Sequence, residues 1–125
     1  MDIGETLLRK QIDENLLKFI KEHICSFTKL DIIRFFGLNP SSRVDAETLS
    51  EITNNKTSDI EIALKPLVKS HILEEVKVEN KTLFELSKNK DTLDYVKRFI
   101  SCYGNPSTRL LIIGYMLNKS VEKKK

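Results

Sequence analysis

The clearest periodicity in the chain lies between Val44 and Leu86. Ala46, Leu49 and Ile52 recur on one side of a short helical stretch. After a turn rich in Asn and Lys, Ile60, Ala63, Leu64, Leu67 and Val68 recur at three-to-four-residue spacing in a longer one. Two alternating runs follow. Val76 and Val78 share one face of the first, Phe84 and Leu86 share one face of the second, and Glu79-Asn80-Lys81 between them has turn chemistry. Asp45 is placed to cap the shorter helix, and Thr57 or Ser58 the longer, where Ser58 with Glu61 three residues on fits a capping box. Pro66 falls inside the longer helix, at a cost of about 3 kcal/mol in a regular helix, and the helix is retained across it with a bend expected near Ile62. Val44 is placed to add a short strand beside the two runs.

The flanks are helical as well. A stretch from about Ile3 to Ile24 carries the stripe Leu16, Leu17, Ile20 and Ile24, with Lys18, Lys21 and Glu22 outside it; its first half reads as too polar for a core. It is read either as a frayed end in front of one packed helix or as a dimerisation helix. Phe27 interrupts, and Thr28 with Asp31 resembles a capping box opening a helix in which Leu30, Ile32, Ile33 and Phe36 face inward, ended by Gly37 with Pro40 beyond. Beyond the alternating runs, Asp91 to Tyr103 reads as a helix with Leu93, Val96, Phe99 and Ile100 on one side, and Asn105-Pro106 breaks it. Ser107 to Leu117 is a final helix, apolar nearly all round through Leu110, Leu111, Ile112, Ile113, Tyr115 and Met116. Such a segment is seldom left on a surface.

Composition places these elements in a single domain. The 125 residues, 40% hydrophobic and 31% charged, suit one domain over 1–118, with a core of about 27–87, flanking helices over 3–24 and 90–118, and a basic tail, 119–125, expected to be disordered. No apolar run approaches the roughly 20 residues of a membrane span. Met1 to Arg9 lacks a basic stretch followed by an apolar one, so a cytoplasmic protein without membrane contact is expected. Cys25 and Cys102 lie far apart and form no CxxC, which points away from a disulfide scaffold or a zinc ribbon.

Helix, turn, helix and hairpin in this order is the winged helix-turn-helix: mainly α with a small β-wing, here with flanking N- and C-terminal helices. The chain resembles regulators of the MarR and ArsR type in the phrase Ile60, Leu64, Leu67, then Ile72 and Leu73, where the recognition helix runs into the wing. His71 stands where that family usually has a Gly able to take a positive φ. From about Leu16 to Leu117 the chain also looks like an uncharacterised bacterial winged-helix family, with a helix before the core and a Pro-interrupted helical pair after it. The resemblance implies the fold and a regulator. Some ArsR-type sensors bind metals through Cys and His on flanking helices, but His23 and Cys25 are two ligands where a structural site takes four, so no metal and no other cofactor is expected. No Gly-rich phosphate loop, HExxH, GxSxG or EF-hand pattern occurs, and the chain is not read as an enzyme.

Charge complicates the reading. The net charge is +3, yet between Val44 and Leu86 five lysines (Lys56, Lys65, Lys69, Lys77, Lys81) stand against nine acids (Asp45, Glu47, Glu51, Asp59, Glu61, Glu74, Glu75, Glu79, Glu85), a balance of minus four. Phosphate contacts supply much of the affinity for DNA, and direct readout favours Arg, Asn or Gln near the start of the recognition helix, where this chain offers Ser58, Asp59, Glu61 and Ile62. Two readings follow. One is a homodimeric regulator that binds double-stranded DNA through Arg43, Lys56, Thr57, Ser58, Lys65, Lys77 and Lys81. The other is a winged-helix module that binds a protein partner through Ile62. Leu16, Leu17, Ile20, Ile24, Leu110, Ile113 and Leu117 are the expected dimer contacts, the alternative being a monomer whose first and last helices cover each other.

Overall fold

Short polar side chains decide where this chain turns. The computed structural model describes residues 3–123 and runs α1 (Ile3–Gln11), α2 (Glu14–His23), α3 (Phe27–Leu38), β1 (Arg43–Val44), α4 (Ala46–Thr53), α5 (Thr57–Lys69), β2 (Leu73–Val78), β3 (Lys81–Leu86), α6 (Lys90–Gly104) and α7 (Pro106–Lys123). Asp13 accepts from the Leu16 backbone N–H at 2.7 Å and so divides the expected single N-terminal helix into α1 and α2. Ser26, rather than Thr28, caps α3, accepting from the Lys29 N–H at 3.1 Å. Asp45 caps α4 as expected, and Asn89 and Asn105 open α6 and α7 in the same way. Lys56 takes the N-cap position of α5 without any side-chain hydrogen bond, so neither Thr57 nor Ser58 caps that helix.

Helices hold 68% of the residues, and the three strands make one antiparallel sheet in the order β1-β3-β2. In β2 and β3 Leu73 pairs with Leu86 and Glu75 with Phe84, and Val44 of β1 pairs with Phe84 from the other side. Side chains alternate across a strand, so Phe84, Leu86 and Leu73 point into the core while Val76 and Val78 stand on the opposite face. Beneath the sheet, Ile32, Ile33 and Phe36 of α3 meet Leu49 of α4 and Ile60, Ala63, Leu64 and Leu67 of α5, all buried. Burial of side chains of this size is worth roughly 1.5–3 kcal/mol each.

α6 joins this core to the terminal helices: it packs on α3, on α2 and on α7, and α1 lies along α7. At the α3–α6 crossing Gly37 sits inside α3, which continues to Leu38, and a Cβ added there would lie 2.4 Å from Ile100 Cγ1. Gly37 therefore serves close approach rather than helix termination. The first helix is also no frayed end, because Leu8 of α1 and Ile12 just after it are buried. Leu16, Leu17, Ile20 and Ile24, expected at a dimer interface, are at most 2% exposed within one chain and present no surface to a second. Within the chain the first and last helices cover each other. The backbone of α7 is helical to Lys123, beyond the expected end at Leu117 and into the expected basic tail; Lys124 and Lys125 lie outside the described residues.

α5 stays continuous through Pro66 and closes in a Schellman arrangement, with the His71 N–H donating to the Val68 carbonyl at 3.0 Å and the Ile72 N–H to the Leu67 carbonyl at 2.9 Å. His71 takes φ 62, the left-handed conformation that the resemblance assigns to a Gly. A side chain there costs about 1 kcal/mol or more, and His71 is exposed, so its imidazole adds little in return. His71→Gly is expected to stabilise the protein by about 1 kcal/mol, part of the relief being offset by glycine's freedom in the unfolded chain. Equilibrium urea unfolding measures this, and a lowered midpoint would refute it.

Candidate nucleic-acid interface

α4, the turn at Asn54–Lys56 and α5 make a helix-turn-helix, and the β2–β3 hairpin stands beside α5. The turn is tied down by Asn55, whose side-chain amide donates to Asp31 Oδ2 at 3.1 Å and to the Thr53 carbonyl and hydroxyl, while the Asn55 carbonyl accepts from Ser50 Oγ at 2.5 Å. Asn54 takes φ 57, a left-handed conformation that Asn tolerates.

On α5 the buried positions Ile60, Ala63, Leu64 and Leu67 leave Ser58, Ile62, Lys65 and Lys69 on the opposite side, all exposed. Their spacing puts them on one outward stripe, and that stripe contains no carboxylate. Asp59 turns to the α3 side, where it lines a groove with Cys25, Lys29 and Pro66. Glu61 turns to the wing and lines a groove of about 460 Å³ with Asp45, Glu47, Lys65, Glu75 and Lys81 over an apolar floor that includes Leu64 and Phe84. Across this groove Lys81 acts on Asp45. The Asp45 carboxyl is held below the usual range chiefly by the side chain and backbone of Thr48, and the Lys81 charge lowers it further.

The residues expected to contact DNA separate into groups. Lys65 and Lys81 meet in the wing groove, and Lys56, Thr57 and Ser58 sit together at the open start of α5. Lys77 is exposed on β2 opposite Thr82, close to the two-residue tip Glu79–Asn80, where Glu79 takes φ 59. Arg43 is not a free cation: its Nε donates to Glu85 Oε2 at 3.1 Å across the β1–β3 pair, on the sheet face away from Phe84. Sequence reasoning missed this pair because it joins residues 42 apart, and it missed the wing groove because the groove is built from four separate elements, α4, α5, β2 and β3.

Similarity to known proteins is confined to the fold. No protein-family model matches the sequence, and no curated protein matches it. Among solved structures, HlyU from Vibrio cholerae N16961, a winged-helix transcription regulator, superimposes with a TM-score of 0.60 at 12% identity, covering 75% of this chain and all of HlyU. The fold is a winged helix. At that identity the likeness extends to the fold and not to the MarR or ArsR subgroup.

His23 and Cys25 gather no further ligand. His23 lies against the Phe19 ring, centroids 5.1 Å apart, and Cys25 Sγ lies 3.2 Å from Lys29 Nζ; among the described residues no group of three or more His, Cys, Asp or Glu is placed to hold a metal. Both cysteines are free thiols, and burial pushes the Cys102 thiol up. Burial also holds the His23 imidazole below its usual value of about 6.5, with Lys29 adding to the effect and Glu22 opposing it. Because the folded value lies below the unfolded one, this contribution to stability is complete above about pH 6.5 and is lost as pH falls through that value towards the folded one. His23→Gln should therefore flatten the decline in stability between neutral and mildly acidic pH. Urea unfolding at both ends of the range is the check, and equal slopes in the two proteins would refute it.

Proposed function

We propose that this chain is a DNA-binding transcription regulator that acts in the cytoplasm as a homodimer. The observation that carries the reading is the carboxylate-free outward stripe of α5, Ser58, Ile62, Lys65 and Lys69, beside a helix start with no side-chain cap. Nine acids in the winged-helix core set its net charge, but the side that a duplex would meet first is cationic, and open backbone N–H groups at a helix N-terminus favour phosphate. Lys65 and Lys81 flank the wing groove and Lys77 stands near the wing tip, as backbone contacts on either side of a base-reading helix would require. Arg43 drops out of the contact set because Glu85 holds it. HlyU, with the same fold, is a transcription regulator, and that likeness supports the reading at the level of the fold.

Dimerisation rests on α7. Its inner face, Ile112, Tyr115 and Met116, is buried within the chain, while Leu110 is 72% and Leu117 51% exposed, with Ile113 half-buried between them. These positions lie on one outward stripe. Gly114 adjoins it, and nothing within 4 Å would meet a side chain there. Apolar side chains so exposed gain by meeting their own copies across a two-fold axis. A mass of twice 14.4 kDa by light scattering at micromolar concentration is expected, and Leu110→Glu with Leu117→Glu should return it to 14.4 kDa with helical content kept. A wild-type mass of 14.4 kDa would remove the dimer from the proposal.

One observation favours a second reading. The wing groove carries Asp45, Glu47, Glu61 and Glu75 against Lys65 and Lys81, and Ile62 is 69% exposed, a pairing suited to a protein partner with basic and apolar side chains. Duplex binding separates the two. For the regulator, Lys65→Glu with Lys81→Glu should weaken binding to every duplex alike and reduce the slope of log K against log salt by about 0.9 for each phosphate that is no longer neutralised. Absence of duplex binding by the unmodified protein at low salt would favour the protein-binding reading.

A further inference from the structure

Five arginines occur in the chain, and three of them are ion-paired: Arg9 with Glu5 and Glu14, Arg43 with Glu85, Arg98 with Asp13 and Asp94. The other two, Arg34 and Arg109, have no carboxylate within ion-pair distance among the described residues, and both lie against the same aromatic ring. The guanidinium carbon of Arg34 is 5.4 Å from the centroid of Tyr103, and that of Arg109 is 5.9 Å from it. We propose that Arg34 and Arg109, gathered on Tyr103, form a binding site for a small oxyanion, a phosphate or carboxylate group, which nothing in the winged-helix reading requires.

The geometry has three parts. Arg34 comes from α3, Tyr103 from the last turn of α6 and Arg109 from the first turn of α7, so three elements converge where the winged-helix core meets the terminal helices. The platform is anchored to the core, since the Tyr103 ring lies 5.7 Å from that of Phe99, which is fully buried. Asp31, one turn before Arg34, accepts a hydrogen bond from Asn55 and is not paired with either arginine. The α7 amides of Ser107 and Thr108 already donate to Asn105 Oδ1, so the donors offered to a ligand are the two guanidinium forks.

Two like charges drawn to one ring repel each other, and an anion between them turns that repulsion into attraction on both sides. The guanidinium fork matches the paired oxygens of a carboxylate or phosphate. Attraction to the Tyr103 ring limits the freedom of each arginine before a ligand arrives, which lowers the ordering cost of binding. The α7 N-terminus adds positive potential at the same place. An oxyanion held by both arginines would brace α3 of the reading core against α7, which carries the exposed Leu110 and Leu117.

The test is an NMR titration of the 15N-labelled full chain with sodium phosphate, and separately with sodium acetate, each against sodium chloride at equal ionic strength. Saturating shifts confined to amides around Arg34, Tyr103 and Arg109 are expected. A response to phosphate alone would assign a phosphate-bearing ligand, and a response to acetate alone a carboxylate. Arg34→Gln, at an exposed position, and Arg109→Gln should each weaken binding about tenfold or more, about 1.4 kcal/mol at tenfold, while Lys65→Gln should leave it unchanged. Shifts that fail to saturate, that spread over the lysine-bearing surface, or that persist in Arg34→Gln would overturn the site.

Discussion

The contact between Gly37 and Ile100 sets the arrangement of the terminal helices. A side chain at Gly37 would occupy space that Ile100 fills, so only a residue without Cβ lets α6 sit at this distance from α3. With α6 so placed, Phe99 and Val96 close the core from the side opposite the wing, α2 packs across α6 with its buried stripe, and α7 returns to meet α1. Each terminal helix is positioned by the one before it. The helix-turn-helix carries its own packing through Ile32, Leu49, Ile60 and Leu64, but without α6 the side of α3 that bears Gly37 would face water.

The acidic character of the winged-helix core becomes intelligible once position replaces count. Asp45 is occupied in capping α4, Glu85 holds Arg43, Glu61 and Glu75 face the groove under the wing, and Asp59 leans towards α3. A summed charge treats these carboxylates as equal, whereas at physiological salt an exposed charge acts over about 8 Å. Along α5 the outward stripe of Ser58, Ile62, Lys65 and Lys69 carries no carboxylate, and Glu61 stands beside it on the groove side.

Much of the winged-helix core was legible in the sequence because it is built from local patterns. Asp45 as a cap, Val44 as a short strand and the two hairpin strands all follow from residue types within a few positions of one another, whereas the left-handed corner at His71 came only from the resemblance, since a positive φ is uncommon in any residue other than Gly. The flanks were less legible. A single stripe at helical spacing cannot reveal that Asp13 interrupts it, because Asp is tolerated on a solvated helix face and becomes a cap only when the backbone turns. The buried stripe of α2 looked like an intersubunit surface because its cover, α6, comes about 70 residues later. Of the candidate contacts, the lysines were identifiable by type, but the engagement of Arg43 by Glu85 and the gathering of Arg34 and Arg109 on Tyr103 depend on tertiary neighbours that no local spacing encodes.

The strand order β1-β3-β2 leaves both outer strands with unpaired backbone groups, and such edges invite other chains to add to the sheet. Here the two edges are defended differently. β1 is only two residues long, too short to template a partner, and Arg43 is held in place by Glu85. β2 is six residues long and carries Glu74, Glu75 and Lys77, and charged side chains along an edge oppose the addition of another strand. Charges that contribute nothing to the hydrophobic core thus guard the exposed edge of the wing against the addition of further strands.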